Sequence, residues 1–298
     1  RARLIGEHFN SEFIAQDHIL FNNSAVAAQV PNAHINQPIA SATLSTAQSN
    51  GWIWDIALPT RRGTGYVFSS QYQSDERATD TLKSYIAKST SEQQAEQLNY
   101  RVLKFSPGYR QKFWIKNCVA VGMSAGFLEP LEASALLLVE ISANFIAEQL
   151  PANRQVMDIT AARFNRTFSY RWQRIIDFLK LHYMLSERTD SLFWQQHCAE
   201  QSIPQSLQGN LALWRTHIPN DNHFDYSVEV FPAASYQYVL YGMGFKTATT
   251  HYGNHPRAIK KARNLAAINT KDTAELVSKL PDNRTLLKQI KQYGLQKI

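Results

Sequence analysis

The chain has 298 residues, 44% of them hydrophobic and 11% aromatic, which suits one large or two small globular domains and excludes a disordered chain. No uninterrupted apolar run reaches the roughly 18 residues a membrane helix needs, and only two cysteines, Cys118 and Cys198, occur, so neither a disulfide framework nor a metal site is expected and the setting is read as cytoplasmic. The net charge of +7 sits mostly from Lys246 onward, with eleven Lys/Arg against three Asp/Glu; without interleaved aromatics this reads as a solvated helical face, and neither nucleic acid nor membrane is expected as a partner.

In chain order, residues 18–30 are apolar and β-leaning around an Asn-Asn-Ser break. Residues 41–70 read as a β-meander: 42–48 alternates, Asn50-Gly51 signals a turn, 52–58 is a second strand and 66–69 a third. Residues 74–97 are polar and helix-prone, and 100–105 and 113–121 read as strands. Strands within 1–35 and 95–125 would be exposed edges by themselves. The chain also opens on Arg1 without a Met, so an upstream segment is expected. Helices dominate afterwards. Residues 131–150 are apolar almost all round, which predicts a buried helix. Helical spacing continues through 156–185, 192–200, 205–217 and 234–243, with shorter charged helices at 256–267 and 272–279. A β-rich first third followed by a mainly helical remainder is an α+β order, or the tail of a larger α/β enzyme.

The most informative stretch is 117–134, NCVAVGMSAGFLEPLEAS, read as strand, glycine turn, then helix. Residues 119–121 read as a buried strand. Gly122 and Gly126 allow close backbone approach to a ligand. Pro130 suits a helix start and Glu132 an early helical position, where a carboxylate is favourable in its own right. A glycine-flanked turn before a helix N-terminus is also an anion site. A carboxylate among Phe127, Leu128 and Leu131 would have its protonation tuned by apolar surroundings.

GMSAGFLEPLEAS resembles a block of the flavin-dependent halogenases of the tryptophan-halogenase family. Three more blocks resemble that family in order: GWIWDIALPTRRGTGYVFSS at 51–70, FSPGYRQKFWIKNCVAVG at 105–122 and HYMLSERTDSLFW at 182–194. The resemblance covers nearly all of residues 1–245. It implies a fold like that of flavin monooxygenases, with 1–150 the remainder of a flavin and substrate sheet region carrying the halide-site helix, and 151–298 the helical C-terminal region. It also implies reduced FAD from a separate flavin reductase, O2, a halide ion, and hypohalous acid that halogenates an electron-rich, indole-like aromatic. A homodimer is compatible with it.

Residue by residue, the resemblance makes Glu132 the catalytic carboxylate. The backbone amides of Ser134 and Ala135 become the halide-binding groups, and Gly122, Met123 and Leu136 the flavin-binding ones. Trp52, Trp54 and Tyr236 become the substrate or tunnel residues. Ala57 replaces the proline of the tryptophan signature, and Ala135 stands where many members have Gly. No G-x-G-x-x-G follows a strand in this chain, so the chain by itself is expected to be inactive. Gln237 follows Tyr236 where users of free tryptophan carry a second Tyr, which points to a larger indole-bearing substrate. The halide reading requires the helix to start near residue 133 or 134, because a start at Pro130 would engage both amides internally. The alternatives are a flavin-dependent aromatic hydroxylase of the same fold, or a degenerate non-catalytic relative.

Overall fold

The computed structural model describes residues 4–225, 229–248 and 255–295. A short helix, α1 (Leu4–Glu7), and a strand, β1 (Phe13–Ala15), lead into β2 (Ser24–Pro31). The meander follows as β3 (Leu44–Gln48), β4 (Gly51–Ala57) and β5 (Arg61–Phe68). Next come α2 (Asp75–Ala87), α3 (Glu92–Glu96) and β6 (Arg101–Lys104). These strands make an antiparallel sheet of order β3-β4-β5-β2-β6. β2 therefore lies inside the sheet, and the exposed edge expected within 1–35 is absent there; its partners come from later in the same chain.

Strand alternation builds a layer on each face of this sheet. Val26, Val30, Ile53, Tyr66 and Phe68 point to one face and bury Ala78, Leu82 and Ile86 of α2. That helix starts where the Ser74 side chain accepts from the Arg77 N–H, a side-chain N-cap. Ala25, Trp52 and Val67 point to the opposite face and join the main core. On β5, Gly65 is required by its neighbour, because a Cβ there would fall 2.1 Å from the Trp54 ring.

A second small sheet places β7 (Gly108–Arg110) between β1 and β10 (Gly126–Phe127). The expected strand at 113–121 is instead a tight hairpin, β8 (Trp114–Ile115) and β9 (Cys118–Val119), reversed at Lys116 with φ +53°. Cys118 and Val119 are half-buried, so residues 119–121 are not a buried strand.

The helices are α4 (Ser134–Glu148), α5 (Arg154–Met184), α6 (Leu192–His197), α7 (Gln205–Trp214), α8 (Ala233–Gly242), α9 (Pro256–Lys279) and α10 (Asn283–Tyr293). The long α5 runs under the main sheet and supplies Phe164, Phe168, Trp172 and Ile175 to the main core, which contains residues from both sides of position 150. α6 is tied to the end of β3, where Trp194 Nε1 donates to the Gln48 carbonyl at 2.8 Å. Residues 256–279 form one continuous helix rather than the two expected. The helix α10 is additional; its Arg284 and Asn283 bond to the carbonyls of Gln37 and Ile39. Among the described residues, no helix is long and apolar enough to cross a membrane.

The expected burial of 131–150 is corrected. Only Ser134, Leu138 and Ser142 of α4 are buried, while Leu136, Leu137 and Val139 face outward. This mostly apolar helix presents one face to the core and leaves the other uncovered by any described residue.

Candidate active site between two cavities

The segment between β10 and α4, Leu128 to Ala133, is a turn rather than helix. The Ala133 N–H bonds the Pro130 carbonyl at 3.2 Å, and Ala133 adopts the left-handed conformation, φ +50° and ψ 26°. α4 therefore begins at Ser134 and not at Pro130. The N–H groups of Ser134 and Ala135 fall in its first turn, where no helical carbonyl is available to them. They are free to face an anion, with the helix dipole in their favour.

An alanine held left-handed carries about 1–2 kcal/mol of strain, and the Ala133 methyl is exposed. Ala133→Gly is therefore expected to raise stability by about 0.5–1 kcal/mol after the entropy of the added glycine is discounted. Thermal melting measures it, and a lowered melting temperature would show that the methyl makes a contact of value.

Gly126 proves to serve the sheet. A Cβ there would meet the Gly108 carbonyl oxygen at 2.5 Å, so the strand pairing itself requires glycine, and the residue also lines the first cavity. Gly122 does need its freedom, with φ +62° at the start of the 3-10 turn Gly122–Ser124. That turn and the α4 terminus enclose a first cavity of about 280 Å³, lined by Gly122, Met123, Glu129, Ser134, Ala135 and Leu136. Phe113, Phe168 and Trp172 close its inner end. Met123 is 62% exposed and Leu136 81%, so two apolar side chains flank the mouth.

The two carboxylates of the E-P-L-E stretch differ sharply. Glu129 is only 3% exposed. Its Oε2 accepts from Asn22 Nδ2 at 2.7 Å, Trp52 Nε1 at 2.7 Å and the Tyr183 hydroxyl at 2.6 Å. Asn22 also donates to the Tyr183 oxygen at 2.9 Å. Burial pushes the Glu129 carboxyl above the usual range, and the three hydrogen bonds oppose this in part. The same desolvation, with the neighbouring carboxylate, raises the Tyr183 hydroxyl.

Glu132, expected in apolar surroundings, has a side chain one-third exposed. The desolvated environment belongs to Glu129, because the turn at Pro130 carries Glu132 out of the apolar layer. Glu132 Oε1 instead meets His182 Nε2 at 2.9 Å. His182 Nδ1 lies 2.8 Å from the Phe178 carbonyl, which can only accept, so Nδ1 carries a hydrogen. The Nε2 to Oε1 contact then holds one further proton between imidazole and carboxyl. His182 borders a second cavity of about 230 Å³, lined also by Trp52, Leu131, Tyr183, Trp194 and Met243.

Trp52 thus stands in the wall of the second cavity with its indole N–H on Glu129. Trp54 lies 6.3 Å from it, ring centre to ring centre, over Gly65. Tyr236 stands apart from both. It is 1% exposed in a separate aromatic core with Phe178, Trp214 and Phe224, and offers no surface to either cavity. The helical spacing of α8 turns it inward. Gln237 donates to the Pro219 carbonyl at 2.6 Å. In the sequence His182 stood in the fourth block without a role of its own, and Glu129 was passed over. For Glu129 a signal was available: it follows Gly-Phe-Leu directly, in the most apolar part of the block.

The sequence profile described as tryptophan halogenase matches residues 1–257. The tryptophan 6-halogenase SttH of Streptomyces toxytricini is 31% identical over 245 residues, which is 82% of this chain and 45% of that protein. The crystal structure of a tryptophan halogenase from Shewanella frigidimarina superposes with a TM-score of 0.93 at 49% identity, over 99% of this chain and 56% of that one. BrvH, a flavin-dependent halogenase from Brevundimonas sp., superposes with a TM-score of 0.80 at 31% identity, over 96% of this chain and 56% of that one. The chain spans about half the length of the relatives it matches. A profile match over most of the chain, and a backbone shared with a structure at 49% identity, place this chain in the tryptophan halogenase family.

Proposed function

We propose that the intact protein halogenates an electron-rich, indole-bearing aromatic, using halide, O2 and reduced FAD delivered by a separate flavin reductase. The observation that carries this is the placement of one short segment between two cavities. Its far end offers the free amides of Ser134 and Ala135 to the first cavity, and Glu132 pairs with His182, which borders the second. Reduced FAD with O2 would supply the oxidising equivalent that turns halide into an electrophile.

This chain's own residues fit such a group. Met123 and Leu136 give an apolar platform for a planar ring beside the anion site, and Gly122 lets the backbone come close. The second cavity, walled by Trp52 and Trp194, suits an aromatic ring. Glu132 would take the ring proton released after the electrophile adds on its Oε2, while its Oε1 keeps the hydrogen bond with His182 Nε2. Glu132 and His182 are already in hydrogen-bond contact, as general-base catalysis requires.

A hydroxylase of the same fold needs no halide, so halide dependence separates the two readings. The intact protein is assayed by mass spectrometry with reductase, FAD, O2, chloride or bromide, and with tryptophan, indole and larger indole-bearing compounds. A halogenated product that disappears when halide is withheld is expected. A hydroxylated product formed equally without halide would replace this reading with the hydroxylase.

A further inference from the structure

The two cavities are separated by the segment that starts at Glu129, and Glu129 is where the wall is fastened. The residue lines the first cavity, while its partners Trp52 and Tyr183 line the second. Those partners come from β4 and α5, and Asn22 precedes β2, so three segments distant in sequence converge on one carboxylate oxygen. All three donors bond Oε2, and the buried Oε1 has no partner. A carboxyl placed only to satisfy its own hydrogen-bonding capacity would share donors between both oxygens. This one is aimed, and what it aims is the Trp52 indole and the Tyr183 ring.

We propose that Glu129 is a positioning residue that fixes the partition between the cavities, so that oxidant formed at the Ser134 and Ala135 amides passes to the aromatic ring in the second cavity instead of escaping to solvent. This rests on the halogenation reading above. Glu129 itself neither accepts the ring proton, which falls to Glu132, nor binds the halide, which a buried carboxylate would repel. Its effect is geometric. Loosening the Trp52 and Tyr183 walls would change where the oxidant goes more than how much is made.

The test is the coupling ratio in the intact protein with reductase and halide. Halogenated product is measured per O2 consumed, while excess free methionine in solution traps escaped hypohalous acid by taking its oxygen as sulfoxide and releasing hydrogen halide. Glu129→Leu keeps much of the bulk but removes the single acceptor that the Asn22, Trp52 and Tyr183 donors share. It is expected to lower product per O2 by roughly 10- to 10²-fold, with a matching rise in methionine sulfoxide per O2. Tyr183→Phe removes one of the three donors, keeps the ring, and is expected to move the ratio in the same direction by less. Because free reduced FAD also consumes O2, the deciding ratio is product to methionine sulfoxide: loss of folded protein lowers both together and leaves that ratio unmoved. A ratio at the parent value in both variants overturns the proposal. A parent enzyme that makes no halogenated product overturns the halogenation reading itself, and is recognised without reference to either variant.

Discussion

Glu132→Gln in the intact protein is expected to lower halogenation by roughly 10²–10⁴-fold, with little change in melting temperature. Glutamine keeps the side chain's length and can still accept from His182, so the turn and the start of α4 should persist. What it loses is the capacity to take a proton. The competing account treats Glu132 as a carboxylate two residues ahead of α4 that interacts favourably with the helix terminus, a term of about 0.3–1 kcal/mol. That account predicts a slightly less stable protein with near-parent turnover. The contact with His182 argues for the larger effect: a carboxyl needed only for the dipole has no use for a shared proton at 2.9 Å. Turnover and thermal melting measured on the same preparation decide between them.

Between pH 7.5 and 9.5 the protein is expected to become more stable as pH rises, and Lys180→Met is expected to flatten that rise. Lys180 is fully buried on α5, and desolvation brings its amine from the usual lysine range down to about 7. A neutral amine has two hydrogens and one lone pair. Nζ reaches the Ile19 carbonyl at 3.2 Å, Ser202 Oγ at 2.9 Å and His197 Nδ1 at 3.0 Å, so the lone pair can receive an Nδ1–H. His197 Nε2, which lacks a partner, is then a bare ring nitrogen rather than a stranded N–H. Burial, with Lys180 alongside, lowers the His197 imidazole as well. Above pH 7 the unfolded chain binds a proton at Lys180 that the folded chain does not. Stability therefore climbs with pH by up to about 1.4 kcal/mol per unit until the unfolded lysine titrates near 10.4, or about 3 kcal/mol across the window. Tyr66, pushed up to about 12 by burial, opposes the climb only at the alkaline end, once unfolded tyrosines ionise. Denaturant unfolding of parent and variant at several pH values measures it. A parent curve as flat as the variant's would mean that Lys180 stays charged in the fold.

The sequence was most legible where pattern and local chemistry coincide. Alternation plus Asn50-Gly51 gave the meander, and helical spacing gave α5, whose start the Asn153 side chain caps in the structure. The start of β5 was harder, because Arg61 to Gly65 lacks alternating apolar residues; its strand state is imposed by pairing with β2 and β4 on both sides. Lys116 hides a chain reversal under an ordinary residue, so 113–121 read as one strand. The Asn-Thr-Lys-Asp stretch at 269–272 looked like a helix break but lies inside α9. In the site, the four ordered blocks located the helix terminus and Glu132. Spacing could not show that Glu129 and Glu132 serve different environments. Three residues apart on a helix they would share a face; on the turn at Pro130 they part, one to a buried cluster and one to His182. His182 becomes a partner of Glu132 only when α5 is laid across the turn, a pairing across 50 positions that no local pattern carries.

The alternation along β4 has an evolutionary corollary. Trp52 and Trp54 serve the site side of the sheet, while Ile53 serves the α2 side. Because the strand has a period of two, gaining or losing one residue within β4 would exchange the two sets, sending the tryptophans into the α2 layer and emptying the second cavity's wall in a single event. Lineages that carry this sheet are therefore free to retune the pocket by point substitution at 52 and 54. Changes in length should be confined to connections such as 32–43, which lies outside the paired strands.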